Sequence, residues 1–279
     1  MGLLTEKESL RMKLSTIPLP VLKKFVKNFG NEKLRRSGDI IKFLIQKKVS
    51  NEAVDKIIKD EYEKKLNQRK SVISDQNLLK ELLKVKKFHW GVVQGQLDNK
   101  IQVRYVRKYF KYNELIRSVE NSLYTQIRNY VVCSWYNYWT TVIIEDMISG
   151  HPNVIPTLKN VKGVDLFFKN QPFDLKITYL PDGYSEDIKY AIENPKDIII
   201  WLYEHQGAQR FGADNRLFVI LYDTKNPDES WKIKRDVKLI RSRIDEFFTS
   251  EIVSEDDEII FTFGKKTYTV LSKLLFILK

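Results

Sequence analysis

Apolar and polar positions follow two rhythms along this chain, and the switch between them marks out its elements. Residues 1–14 read as a short charged helix or arm. Leu22, Phe25, Val26 and Phe29 then recur at the spacing of one helix face, with Pro20 placed to open the helix and Gly30 to close it. After a basic turn from Asn31 to Arg36, Ser37-Gly38-Asp39 precedes a second amphipathic helix, Ile40 to Lys48, with Ile40, Ile41, Phe43 and Leu44 on its apolar side. Residues 51–70 predict a highly charged helix, and Asn77 to Lys87 another, ended by His89-Trp90-Gly91. Ile101-Gln102-Val103-Arg104-Tyr105-Val106 alternates apolar and polar residues, which predicts a strand. From Asn113 to Ser149 neither Pro nor Gly interrupts a helical pattern, one long helix or two abutting, and Gly150-His151-Pro152 stops it. Its aromatic centre, Tyr130, Trp135, Tyr136, Tyr138 and Trp139, reads as core.

Beyond residue 160 the rhythm shortens. Two apolar runs of strand type, Val164 to Phe168 and Phe173 to Ile177, flank the polar break Lys169-Asn170-Gln171-Pro172 and predict a β-hairpin. Asp165, Asp174 and Lys176 interrupt these runs, and charges are rare there unless paired or metal-bound. Asp174 and Lys176 share one strand face. With Asn170-Gln171 as the loop, Asp165 lies directly opposite Lys176 on that same face. Tyr179 to Gly183 makes a turn, and Ser185 to Glu193 and Pro195 to Gln206 predict helices. Arg216 to Asp223 is an almost continuous apolar run, as in a central buried strand. Trp231 to Phe248 predicts an amphipathic helix with Lys232, Lys234, Arg235, Lys238, Arg241 and Arg243 on a basic face.

Composition adds a partner class. The 279 residues carry a net charge of +12. Residues 1–90 hold 22 Lys+Arg against 11 Asp+Glu, whereas residues 91–279 hold 26 against 25. This predicts a basic helical domain, 1–90, joined to a nearly neutral body, 91–279, that should stay folded without residues 1–48. Nucleic acid is the leading partner for such a chain, ahead of an anionic membrane surface. Cys133 is the single cysteine, so neither an internal disulfide nor a thiolate metal cluster can form. No apolar run approaches the roughly 20 residues of a membrane helix, no secretory signal opens the chain, and a cytoplasmic setting is the expectation.

Two carboxylates and an ammonium converging on one hairpin face suit metal-assisted phosphodiester hydrolysis, the alternative being an ordinary salt bridge on a strand. Mg²⁺ takes a few carboxylates, a carbonyl oxygen such as that of Leu175, and several waters, and a nearby Lys can orient the attacking water. Asp165 followed by Asp174-Leu175-Lys176 resembles the Asp…(Asp/Glu)-x-Lys signature of the PD-(D/E)xK nuclease superfamily, which includes many type II restriction endonucleases; Val164 stands where that signature often has Pro. The resemblance implies an α/β fold, an αβββαβ restriction-endonuclease-like core with a mixed central sheet behind a small all-α basic N-terminal domain. It implies Asp165 and Asp174 as ligands of Mg²⁺, with Mn²⁺ as a substitute, and Lys176 as the residue that positions water. Glu145 is the further acid from the preceding helix, with Glu120 as fallback. It also implies cleavage of double-stranded DNA by a homodimer and leaves room for a cognate DNA methyltransferase acting on the same sequence, while the lack of a membrane-length apolar run predicts no membrane partner.

Leu22 to Phe25, Gly30, and Ser37 to Leu44 resemble a SAP-like helix–loop–helix DNA-binding module. That makes Lys23, Lys24, Lys27, Arg35, Arg36 and Lys42 candidate phosphate contacts. The glycine-bearing loop Gln206 to Arg216 adds Gln206, Gln209, Arg210 and Arg216 as candidate DNA contacts, with a plain surface loop as the alternative. Two other functions stay open: a repair or junction-resolving nuclease of the same fold, and a DNA-binding protein that does no chemistry.

Overall fold

The computed structural model describes residues 2–31, 33–89, 97–205 and 214–279. The chain divides into two compact units, Met1–Val72 with Glu145–Lys279, and Ile73–Ile144. The boundary expected at residue 90 falls inside the second unit.

The first unit begins with four helices, α1 (Glu6–Ser15), α2 (Leu19–Lys27), α3 (Ser37–Gln46) and α4 (Asn51–Val72). Thr5 starts α1 with a reciprocal cap: its hydroxyl accepts from Glu8 N at 3.3 Å, and the Glu8 carboxylate accepts from Thr5 N at 2.9 Å. Pro18 and Pro20 fix the entry to α2, and Gly30, at φ +76°, turns the chain out of it.

The second unit holds α5 (Asp75–Leu82), α6 (Leu97–Ile101), α7 (Tyr112–Ser118) and the greater part of α8 (Tyr124–Ser149). Segments Gln102–Val106 and Val119–Leu123 are wide helical turns. The strand expected at Ile101 to Val106 is therefore helical, with Arg107 N bonded to Gln102 O at 2.9 Å. Its alternation does not mark two faces: Tyr105 is buried while Val103 and Val106 are exposed. Within the aromatic stripe of α8, Tyr136 is fully buried, whereas Trp135 and Tyr138 stay open to solvent.

The rest of the first unit is a six-stranded mixed sheet with helices between its strands. The strands are β1 (Val154–Val161), β2 (Val164–Phe168), β3 (Gln171–Tyr179), β4 (Arg216–Tyr222), β5 (Glu258–Phe263) and β6 (Lys266–Leu278), in the order β1-β2-β3-β4-β6-β5. β1, β2 and β3 form an antiparallel meander; β3–β4 and β4–β6 are parallel, and β6–β5 is an antiparallel hairpin. Helices α9 (Ile188–Glu193) and α10 (Pro195–Glu204) make the crossover from β3 to β4. β4 buries Leu217 to Leu221 without a break, as its central place requires. The single helix expected from Trp231 to Phe248 is two elements, a 3₁₀ segment (Pro227–Arg235) and α11 (Val237–Ser250). Asp236 between them leaves helical geometry, at ψ 73°, and caps Leu239 N at 3.3 Å.

The N-terminal helices pack into the same unit as the sheet. Leu14, Leu22, Ile40, Leu44, Val54 and Ile58 share one buried cluster with Ile155 and Leu158 of β1 and Val164 and Phe167 of β2. Their polar ties point to the same place. Lys13, with no exposed surface, sets its Nζ 2.7 Å from Asp55 Oδ1 and 2.7 Å from Asn170 Oδ1. Ser9 Oγ donates to Asn170 O, and the Leu4 backbone exchanges hydrogen bonds with the Gln171 side-chain amide at 2.7 and 3.0 Å. A chain cut after residue 48 is deprived of one side of this core. Among the described residues, no helix is long and apolar enough to cross a membrane.

Candidate active site

The hairpin that carries the three charged residues turns on Lys169-Asn170, not Asn170-Gln171. Both turn residues are left-handed, at φ +48° and +62°, the pairing a two-residue hairpin loop needs to match strand twist. Leu166 pairs with Phe173, Phe167 with Pro172 and Phe168 with Gln171. One step further along this register, Asp165 stands across from Asp174 rather than Lys176. The displacement is an even number of residues, so all three side chains remain on one face.

The peptide groups of β3 alternate between its neighbours. Asp174 N donates to Asn215 O at 2.9 Å, toward β4. Leu175 N donates to Asp165 Oδ2 at 2.8 Å, toward β2, and the Leu175 carbonyl shares that edge because both peptide groups of a strand residue point the same way. Lys176 Nζ lies 2.7 Å from Asp174 Oδ1, and Arg216 Nε lies 3.2 Å from Asp174 Oδ2. Asp174 is thus held between two cations.

Arg216, expected in a DNA-reading loop, opens β4 instead. It is 4% exposed, and its guanidinium sits 4.9 Å from the centre of the Tyr203 ring. A hydrophobic strand needs its first charge paired, and Asp174, the residue beside it in the parallel register, supplies the partner. Gln206, Gln209 and Arg210 lie outside the described residues.

Glu145, in the last turns of α8, belongs to this electrostatic group. Partial burial first, then Asp165 and Asp146, push its carboxyl up to about 6, against the pull of Lys176 and Lys234. Asp165 is raised as well: the surrounding protein strips water from its carboxyl and Asp174 repels its charge, while the Leu175 amide and Lys176 work the other way. Asp146, next to Glu145, is turned to a structural task, accepting from Tyr62 Oη at 2.8 Å and pairing with Arg69 of α4. Glu120 sits in the second unit, in the turn Val119–Leu123.

Lys234 is a residue that sequence reasoning assigned to an outer basic face. It is 4% exposed, with its Nζ 5.3 Å from the centre of the Tyr179 ring. Burial lowers its pKa to about 8, and Glu145 opposes the shift. Nothing in a run of alternating Lys and Arg distinguishes the one that points inward. Of the N-terminal cations, Lys24, Lys27, Arg35, Arg36 and Lys42 are exposed and Lys23 is half-buried.

Asp174, Lys176 and Arg216 also line a cleft of about 760 Å³ that continues along β3 and α10 past Thr178, Trp201 and His205. Among the described residues, no three His, Cys, Asp or Glu side chains are grouped to hold a metal ion together. A divalent ion placed here would have only Asp165, Asp174, the Leu175 carbonyl and water to hold it, a sparse oxygen set of the kind Mg²⁺ accepts. The raised pKa values of Glu145 and Asp165 fit such an ion, because crowded carboxylates gain from a cation. Compared with protein-family models, with curated proteins and with solved structures, the chain has no match.

Proposed function

We propose that this protein is a Mg²⁺-dependent endonuclease of the PD-(D/E)xK type acting on double-stranded DNA. One observation carries the reading: Asp165 and Asp174 face each other across a hairpin with Lys176 on the same side, and Glu145 stands within electrostatic reach at the end of the helix that precedes the sheet. The order of elements supports it too, since α8, β1, β2, β3, α10 and β4 follow the αβββαβ sequence with β4 parallel to β3. When bound, Mg²⁺ supplies Lewis acidity at the phosphate and lowers the pKa of the attacking water. Asp165 and Asp174 would hold it, aided by the Leu175 carbonyl. Lys176 has to leave Asp174 Oδ1 to direct its ammonium at the water or at the developing oxyanion, and its exposed side chain has the freedom to do so. Glu145, with its pKa raised to about 6, is suited to accept a proton near neutrality. The exposed cations of α2, α3 and the loop between them serve as phosphate contacts in this reading. In this reading a type II restriction role stands first and a repair or junction-resolving role second.

A non-catalytic DNA-binding protein is the competing reading, and one contact favours it: the buried Arg216 already neutralises Asp174. Purified protein incubated with plasmid DNA decides between them. The nuclease reading expects cleavage with Mg²⁺ and none in EDTA; binding without cleavage in Mg²⁺ and Mn²⁺ would leave the second.

A further inference from the structure

A stacked pair of rings shares a cleft with Asp174 and has no part in the phosphate chemistry above. Trp201 and His205 lie one turn apart at the end of α10, with ring centroids 4.0 Å apart and planes within 9°. His205 Nδ1 is hydrogen-bonded to the Trp201 carbonyl oxygen at 2.9 Å, which fixes the plane of the imidazole. The indole is held from behind: Tyr184 meets it edge-on at 5.9 Å, and a Cβ at Gly183 would approach Trp201 Cζ2 to 3.3 Å. Trp201 is half-buried and His205 is exposed. One face of the imidazole is therefore backed by a fixed indole, and the residue lines the cleft with its remaining surface. Ile177, Leu202 and Phe218 give that cleft apolar walls, and Lys176 and Arg216 stand in it beside Asp174.

We propose that this cleft takes one unstacked nucleobase against the His205 ring, next to the phosphate that the carboxylates address. The inference rests on the nuclease reading and adds to it what kind of strand the site accepts. An aromatic platform, apolar walls and a cationic end match the three parts of a nucleotide: the face of a base, the sugar and the phosphate. The cleft volume is in the range that encloses a ligand of that size. A base inside an intact duplex has no free face to offer, so the preferred strand carries an unpaired or extruded base, which costs least at a mismatch or in single-stranded DNA.

The test uses the full chain in Ca²⁺, without turnover, and two labelled oligomers of about 12 units, oligothymidylate and an abasic chain of equal charge. Wild-type protein should bind the thymidylate at least about 5-fold more tightly than the abasic chain, with a change in tryptophan fluorescence. His205→Ala should bring the two affinities near parity, and His205→Phe, which keeps a flat ring, should restore the preference. Equal affinities in the wild type, or a preference untouched by His205→Ala, overturn the base pocket. If the same protein cuts plasmid in Mg²⁺, only the pocket has failed; if neither oligomer binds and plasmid stays intact, the nuclease reading falls with it.

Discussion

Arg216 Nε stands 3.2 Å from Asp174 Oδ2, inside the sheet and nearly closed off from solvent. The same carboxylate that the nuclease reading gives to a metal is thus also a structural partner. Removing one member of a buried pair strands the other charge. Arg216→Ala should lower unfolding free energy by about 3–5 kcal/mol, read from the urea midpoint. An unchanged midpoint would mean that the pair carries no structural weight.

Asp165 is the cleaner probe of chemistry, because its carboxylate accepts from the Leu175 backbone amide rather than neutralising a buried guanidinium. Asp165→Asn should reduce Mg²⁺-dependent cleavage by more than about 100-fold while leaving DNA binding and the melting temperature near wild type. Lys176→Ala should cost about 10²–10³-fold in rate. Cleavage at the wild-type rate in either variant removes the hairpin as the active site.

The metal requirement has its own signature. Activity should vanish in EDTA and return with Mg²⁺ or Mn²⁺. Ca²⁺ should permit binding with little cutting, since its larger, looser coordination sphere places the attacking water poorly. Turnover in EDTA contradicts the mechanism.

Glu145 links the site to pH. Its folded-state pKa of about 6 lies above the unfolded value, 4.5. Below pH 4.5 both states hold the proton and stability is unaffected; between 4.5 and about 6 stability falls, and above that the penalty is constant. Glu145→Gln should therefore raise the melting temperature at about pH 7.5 and leave it unchanged at about pH 4. The gain should stay under about 1 kcal/mol, because this carboxylate is only partly buried and solvent screens its charge. Mg²⁺ should shrink this difference. A variant less stable than wild type near neutrality would show that Glu145 is engaged in a favourable pair.

Salt dependence tests the basic helices without truncation. Replacing Lys24, Arg35, Arg36 and Lys42 together by Gln should flatten the slope of log K against log salt by about 0.9 for each phosphate that the protein no longer neutralises. Circular dichroism should be unaltered, since all four side chains are exposed. An unchanged slope assigns that surface to something other than DNA.

The hairpin was legible because two strand-like runs flank a polar break and side-chain parity fixes the shared face. Its register was not, because Lys169 in a left-handed conformation is unusual for its residue type. The segment at Ile101 to Val106 misled for a related reason: a period of two signals a strand only when one of its faces is buried, and here Tyr105 is buried while Val103 and Val106 are not. β5 and β6 lie outside the elements predicted from the sequence, although Gly264, at φ +63°, marks their turn between runs that hold Thr, Phe, Tyr and Ile. Arg216 and Lys234 could not be found in this way, since which basic side chain turns inward is decided by Asp174 and Tyr179, far along the chain.

Asn170 ties the first helix to the hairpin. Its left-handed turn sets which carboxylates face each other, and Lys13 and Ser9 of α1 grip its side chain and carbonyl. Opening α1 therefore frees the turn, and opening the turn leaves Lys13 buried without one of its partners. The two segments should breathe as one: in native-state hydrogen exchange, the amides of α1 and those beside the β2–β3 turn should open with a common free energy. Lys13→Met should accelerate both together, so that a helix at one end of the sequence keeps time for the residues that would meet the phosphate.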